Sequence, residues 1–470
     1  MIDTTQLRCN IVRLALSGKL TCQNTNEDAR DLLSKINSKR DIEQVIDVPY
    51  LLPSNWAWAK LEDVFDINPK VESKSDANAA FVPMERISAG FCREFSFEEQ
   101  VWEVASKNHT KFKDGDVAFA KISPCFENRK SFIAEGLPNG IGGGTTELVV
   151  LRQPLLFEKY TYLLITDQRF IRAGSDSYKG IVGQQRIKAD AYKNYLVPVA
   201  PLEEQHRIVE KVNEIFGVID SLDFLQDKYF HDAGLLKNKL INASIQGKLT
   251  EQLLEDDIAE RLYSDIQGEK DKLIKEKKIK KEKALIEISE EEIPFDIPDN
   301  WKWVRLGDIC SKISSGNTPA GGSKGGAYVT EGFCFFREQN IYNDGIHNEG
   351  MVYITEELLS TRPNSTVLPG DILLNITGGS IGRCALIPDD FSKGSINQHI
   401  LIIRVIDPRI RFYVHKCLCS PYYQKLITGN VVGDKDGFSA GRCKNTLIPL
   451  PPLAEQERIV DKIEGLLSLI

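Results

Sequence analysis

The chain has 470 residues, 42% of them hydrophobic and 27% charged, with a formal net charge of −8. At roughly 150 residues per domain this is about three domain-sized units with ample core, which excludes disordered and collagenous classes. No apolar stretch is long enough to cross a bilayer, and Met1-Ile-Asp-Thr-Thr lacks the basic and apolar regions of a secretory signal. The ten cysteines are scattered without a Cys-x-x-Cys pair, so a reduced, cytoplasmic protein is expected, with neither a disulfide framework nor a zinc site.

In chain order, residues 1–49 supply a helix around 4–17, with Leu7, Ile11 and Leu14 at heptad spacing, and then a linker. Residues 50–200 mix strand-like runs such as Thr146-Glu-Leu-Val-Val-Leu151 with glycine turns such as Asp114-Gly-Asp116, the pattern of a mixed α/β domain. Pro201 then opens a helix over 202–246, since proline suits the first turn and acids follow favourably near its positive end. Ile208, Val212, Ile215, Ile219 and Leu222 recur at alternating spacings of four and three. After Gln226 the pattern resumes with Tyr229, Ala233, Leu236, Leu240 and Ala243, and Gly247 supplies the stop. This reads as a coiled-coil seam. The rest of 201–296 is a charged linker, with eight lysines in residues 270–283. Residues 297–451 form a second α/β domain, with His399-Ile-Leu-Ile-Ile-Arg404 and Pro369-Gly-Asp371. Residues 452–470 begin another heptad helix through Ile459, Ile463 and Leu466; it stops in mid-heptad, and a continuation is expected.

The chain repeats itself once. Residues 10–21 match 239–250, both ending Gly-Lys-Leu-Thr; 52–64 match 297–309, both holding Asn-Trp-x-Trp; and 197–212 match 448–463 with 9 of 16 residues identical. A unit of this length is a duplicated domain pair rather than a solenoid. On the template of the long helix, Ile459, Ile463 and Leu466 fall on the positions of Ile208, Val212 and Ile215, and Leu7, Ile11 and Leu14 on those of Leu236, Leu240 and Ala243. The expected fold is therefore mixed α/β: two domains separated by long antiparallel coiled-coil helices, circularly organised with a pseudo-two-fold. Residues 65–108 and 310–363 show almost no correspondence.

Charge is uneven. Residues 52–201 carry 19 Lys+Arg against 19 Asp+Glu and residues 297–452 carry 16 against 14, whereas 202–296 carry 15 against 23. The two large blocks can thus hold a basic face that the total hides. Catalytic patterns are missing: the Gly-Lys pairs at 18–19 and 247–248 lack phosphate-loop spacing, and the six histidines show no ligand or triad spacing. No adenine-methylase Asn/Asp-Pro-Pro-Tyr/Phe loop occurs. Trp56/Trp58 and Trp301/Trp303 are expected in the core.

Two kinds of segment suggest DNA. Residues 169–193 hold Arg172, Lys179 and Arg186 beside Tyr178 and the amides Gln184 and Gln185, which can read adenine edges. Their counterpart holds Lys435, Arg442 and Lys444 with Asn445. Separately, Thr377-Gly-Gly-Ser-Ile-Gly-Arg383 is a glycine-rich turn whose backbone can approach a phosphate, with Thr377, Ser380 and Arg383 as contacts. Its first-copy analogue carries Lys121, Arg129 and Lys130.

Two copies of Pro-Leu-x-Glu-Gln-x-Arg-Ile-Val opening a heptad helix, Pro-x-Asn-Trp-x-Trp before each block, and Gly370-Asp-Ile-Leu-Leu-Asn-Ile-Thr-Gly378 together resemble the specificity subunits of type I restriction-modification systems. The resemblance covers essentially the whole chain. It implies two target-recognition domains, each reading half of an asymmetric bipartite site in double-stranded DNA, with helices setting the spacing. It also implies two modification subunits supplying S-adenosylmethionine, two restriction subunits using ATP and Mg²⁺, and no catalysis, metal or cofactor on this chain. A self-sufficient methylase or nuclease would need motifs that the sequence lacks. A coiled-coil scaffold would leave two large divergent domains unexplained.

Overall fold

The computed structural model describes residues 1–24, 26–36, 48–181, 184–319, 326–429 and 438–469. The chain forms two compact units, Met1–Lys228 and Tyr229–Ile470. Among the described residues no helix is long and apolar enough to cross a membrane.

Each unit is built on two four-stranded sheets, and the strand order is the same in both. In the first unit one sheet runs Asp66–Ile67, Leu148–Arg152, Val117–Ala120, Ser131–Ile133. The other runs Glu98–Val101, Asn78–Val82, Ile141–Gly144, Thr110–Lys113. The second unit repeats this with Cys310–Ser315, Ile400–Val405, Ile372–Asn375, Cys384–Leu386 and with Val352–Ile354, Phe333–Phe336, Gly394–Ile396, Thr366–Val367. In each, a single strand pair is parallel, Asn78–Val82 with Ile141–Gly144 and Phe333–Phe336 with Gly394–Ile396. The stretches without sequence correspondence hold equivalent strands. Duplication persists in topology where it has vanished from the residues.

The central strands, Val117–Ala120 and Ile372–Asn375, are buried at every position. Both their faces are covered, so they read as continuous apolar runs instead of alternating ones. Val117 and Phe119 join Tyr160, Leu164 and Phe170 on the helix side, while Ala118 and Phe132 join Val82 and Phe112 of the second sheet. In the second unit Ile372 and Leu374 lie with Tyr413 and Cys417, and Leu373 with Phe336 and Ile396. Each such large apolar side chain contributes about 1.5–3 kcal/mol by leaving water. The turns before these strands use Gly115 (φ 87°) and Gly370 (φ 76°). Asp116 and Asp371 follow them, buried, and form two-pronged pairs with Arg152 (2.6 and 2.7 Å) and Arg404 (2.7 and 2.7 Å).

The three repeated segments meet in a clasp, made once in each unit. Buried Glu204 accepts from Thr21 Oγ1 (3.0 Å) and Trp56 Nε1 (2.8 Å). Buried Glu455 accepts from Thr250 Oγ1 (2.9 Å) and Trp301 Nε1 (2.8 Å). Gly18 (φ 67°) and Gly247 (φ 69°) are required here, since a Cβ would lie 2.3 Å from Pro53 Cγ or 2.4 Å from Pro298 Cγ. Two-stranded ribbons, Ala57–Lys60 with Leu196–Val199 and Lys302–Arg305 with Leu447–Leu450, tie the two ends of each block in identical register. Trp56 and Trp301 are buried as expected, whereas Trp58 and Trp303 are only half-buried. The repeat signature is therefore structural: it closes each block and anchors the helix that follows.

The helix opened by Pro201 runs Leu202–Ile245, 44 residues. Its first part lies antiparallel to Thr4–Ala15 in the first unit: Ile2 N bonds Gln226 (2.8 Å), Arg8 pairs with Asp220 and Asp223 (2.5 and 2.8 Å), and Thr21 reaches Glu204. Its last part shares a core in the second unit with Leu453–Leu467 through Ile241, Ile245, Ile459 and Ile463. Ile208, Val212 and Ile219 are buried, and Ile215, Leu222, Ile11, Leu14, Leu240 and Leu466 are half-buried. Leu7 and Leu236 need correcting: they are 37% and 47% exposed, and the fully buried side chains are Val12, Ala15 and Leu16, and Ile241, Ser244 and Ile245. Thr4–Ala15 and the last turns of Leu202–Ile245 also pack into the core of their units, and there the buried arc lies about one residue away from the heptad seam, whereas Ile208, Val212, Ile219, Ile459 and Ile463 are buried on it.

Candidate nucleic-acid interface

In each unit three segments converge at one end of the central sheet. They are the turn after the central strand, the loop leading into its neighbour, and the segment before a short helix, Ala189–Lys193 or Ala440–Asn445. The backbone bonds joining them are equivalent. In the first unit Lys121 N donates to Glu147 O (2.8 Å) and Ile187 N to Lys121 O (3.0 Å); in the second Ile376 N donates to His399 O (2.9 Å) and Phe438 N to Ile376 O (3.1 Å). Ile187 and Phe438 are both buried and pin the third segment to the turn. One scaffold thus presents two different sets of side chains.

The first unit brings together Lys121, Gln185 and Arg186. Ser123 N bonds Gln185 O (2.8 Å), and isolated bridges link Arg186 to both Ile122 and Lys179. Arg186 is half exposed and makes a two-pronged pair with Glu147 (2.7 and 2.9 Å), which holds the Glu147 carboxyl below its ordinary range. A guanidinium clamped flat in this way is ordered before any ligand arrives. Gln184, Lys179 and Arg172 have exposed side chains, Arg172 on the helix Gln168–Asp176.

Three candidates of this unit turn inward. Arg129 is buried: its guanidinium bonds Thr166 O (2.9 Å), Cys9 Sγ (3.4 Å) and Gln168 Oε1, over the Phe91 ring. Lys130 Nζ donates to Met84 O (2.9 Å). Tyr178 lies edge-on to Phe126 (6.4 Å), and burial pushes its hydroxyl above its ordinary value. These three side chains staple the turn to its surroundings: Arg129 to Cys9, Thr166 and Gln168, Lys130 to Met84, and Tyr178 to Phe126.

In the second unit the turn residues do stand together. Thr377 Oγ1 bonds His399 Nδ1 (2.7 Å), and Ser380 Oγ accepts from Asn375 Nδ2 (3.1 Å). Arg383 lies over the Tyr342 ring (4.3 Å), which stacks on His347 (4.0 Å). Gly378 has φ 71°, with open space where a Cβ would be. Arg442 is exposed on Ala440–Asn445. Lys444 pairs with Glu282 (2.6 Å) and Asn445 Nδ2 caps Gly441 O (2.9 Å), so both side chains already serve the fold. Lys435 lies outside the described residues.

Glu147, His399, Gln398, whose Nε2 lies 3.0 Å from His399 Nε2, and the Tyr342–His347 stack were not legible in the sequence. Glu147 and His399 occupy the same place in the two units, one residue before the strands Leu148–Arg152 and Ile400–Val405. The strand runs that mark those positions were visible; the pairing of the loop ahead of each with a distant turn was not. The edges expose amides, hydroxyls, an imidazole and guanidinium groups, a set suited to hydrogen-bond readout and phosphate contact.

Comparison with known proteins places the chain in a family. Residues 298–470 match the family described as "Type I restriction modification DNA specificity domain". The chain is 30% identical to the type I restriction enzyme EcoAI specificity subunit of Escherichia coli, over 98% of this chain and 89% of the relative. It is also 30% identical to the EcoEI specificity subunit of the same species, over 98% and 88%. A solved chain from a study of complex assembly and conformational transition of the type I R-M system aligns with TM-score 0.65 at 21% identity, covering 90% of this chain and 92% of that one. The HsdS subunit from Thermoanaerobacter tengcongensis aligns with TM-score 0.52 at 20% identity, covering 90% and 93%.

Proposed function

Because this chain belongs to the DNA specificity subunits of type I restriction-modification systems, we propose that each unit reads one half of an asymmetric bipartite DNA site through its three-segment edge. The observation that carries this reading is the repeated scaffold itself: equivalent backbone bonds hold Lys121, Glu147, Gln185 and Arg186 in one unit and Thr377, His399 and Arg383 in the other. The long helices set the gap between half-sites. The helix Leu202–Ile245 leaves Val218, Phe224 and Leu225 exposed in its first-unit part and Tyr229, Phe230, Leu235 and Leu236 in its second-unit part. Apolar surface of this kind marks a protein contact, and we assign it to two modification subunits. Those subunits bring S-adenosylmethionine and methylate adenine. Two restriction subunits bring ATP and Mg²⁺ for translocation and cleavage. This chain does no chemistry of its own and works in the cytoplasm on double-stranded DNA.

Methylation mapping of the assembled enzyme tests this. Arg186→Ala should relax one half-site, and Arg383→Ala or Arg442→Ala the other, each lost base contact costing about 1–3 kcal/mol of discrimination. A single substitution that altered both half-sites equally would refute independent reading.

A further inference from the structure

The second unit holds a cluster that DNA readout does not use. Cys384 begins the strand Cys384–Leu386, His415 lies on the helix Arg411–Leu418, and Cys419 caps that helix. Their ligand-capable atoms, two Sγ and one imidazole nitrogen, all lie within 4.8 Å of one another. Cys384 and His415 are buried, while Cys419 is half-buried. His415 Nε2 is the atom that faces inward: it lies 3.5 Å from Cys419 Sγ and 3.1 Å from Cys384 O.

We propose that Cys384, His415 and Cys419 form a binding site for a tetrahedral, thiophilic divalent cation of the zinc type. Zinc–ligand bonds of about 2.0–2.3 Å require tetrahedral edges of about 3.5 Å between nitrogen and sulfur and about 3.8 Å between sulfurs. The His415–Cys419 separation already meets the first of these. Two thiolates and one imidazole select zinc over magnesium or calcium, which prefer oxygen. On binding, both thiols release their protons to solvent, and the imidazole loses to solvent the Nε2 proton that faces Cys384 O and takes one up on Nδ1, which frees Nε2 for the metal. Water entering on the Cys419 side completes the fourth position.

The first unit supplies an internal control. Leu374 faces Cys384 in the sheet as Phe119 faces Ser131. Tyr413 and Tyr160 donate to Pro449 O (2.8 Å) and Pro198 O (3.0 Å), which aligns His415 with Tyr162 and Cys419 with Thr166. The same three positions therefore carry Ser131, Tyr162 and Thr166, none of them a good ligand for zinc. The fold does not need a Cys-His-Cys set to close this corner, so its presence in one unit alone calls for a ligand. The site also has a structural consequence. Cys384 directly follows Arg383, and its N–H donates to Asn343 Oδ1 (2.9 Å), next to Tyr342 on which Arg383 lies. A bound ion would fasten the base of the Thr377–Arg383 turn to the helix behind it.

The test uses the reduced full-length chain, zinc analysis by plasma mass spectrometry and replacement by Co²⁺. The expected result is one zinc per chain, and with cobalt a thiolate-to-metal charge-transfer band together with the visible bands of a tetrahedral ion. Cys419→Thr should weaken zinc binding at least tenfold, and the triple variant Cys384→Ser, His415→Tyr, Cys419→Thr should abolish it. Cys92→Ser, an exposed thiol of the first unit, should leave it unchanged. Circular dichroism melts confirm folding of each variant, and a chelator should lower the melting temperature of the unmodified chain but not of the triple variant. Absence of stoichiometric zinc and of the cobalt spectrum in the reduced chain would overturn the proposal, leaving a dry thiol–imidazole contact. So would a folded triple variant that keeps its zinc.

Discussion

Glu204 and Glu455 show how much one side chain can carry in this protein. Each is buried at the start of a helix and gathers a threonine hydroxyl and a tryptophan N–H from two other repeated segments. Glu204→Gln would turn an amide toward one of those donors, and leaving a buried donor unmet costs about 1–3 kcal/mol. A urea melt should register that loss, and an unchanged midpoint would contradict the clasp. Lys312 gives a second test, through pH. Burial, with Arg404 close by, pulls its ammonium from 10.5 down to about 8. Between those values the unfolded chain binds the extra proton, so stability should rise with pH across the interval. Below it, the buried charge weighs fully against folding. Comparing melts of the unmodified chain and Lys312→Met from neutral to alkaline pH should find that rise only in the former; parallel curves would count against it.

At the scale of elements, the helices reward a distinction between periodicity and burial. Heptad spacing located the long helix to within a residue, because apolar positions at four and three residues are legible without any partner. It located the buried face only in part, correctly at Ile208, Val212, Ile219, Ile459 and Ile463. Leu7 fits the seam and is exposed, whereas Val12 is fully buried among Trp56, Tyr160 and Val209. A helix with two neighbours buries an arc that no single period describes. Val12→Ala should therefore cost about 2 kcal/mol, with Leu7→Ala well below that; thermal denaturation that reversed the order would restore the original seam. The strands show the opposite limit. Their order is identical in the two units although residues 65–108 and 310–363 share almost nothing, since a pleated, half-buried surface accepts many apolar sets. The sites were legible only in part for a related reason. Lys121, Gln185, Arg186 and Thr377 stood out by type and neighbourhood. Arg129 stood out equally and proved a core residue, because charge alone does not say whether a turn folds outward or back. Cys384 and His415 lie on separate elements, so ligand spacing along the chain could not join them.

For the whole molecule, duplication is the organising fact. Two copies of one clasp close two blocks with the same strand order, and each block ends in the same three-segment edge bearing different side chains. On the proposed function, recognition is separable from architecture: the frame is held by Glu204, Trp56, Asp116 and their counterparts, and specificity would fall to loops that carry little of the fold. The ribbons Ala57–Lys60 with Leu196–Val199 and Lys302–Arg305 with Leu447–Leu450 have matching registers, Trp58 opposite Pro198 and Trp303 opposite Pro449. A block can therefore be exchanged at these strands without disturbing its helices. The decisive measurement is the methylation pattern of an assembled enzyme whose residues 57–199 have been replaced by a second copy of 302–450. The expected pattern is a site in which the half formerly read by the first unit is gone and the half read by the second appears twice, with methylation intact. Continued recognition of the original first half-site by that hybrid would contradict it.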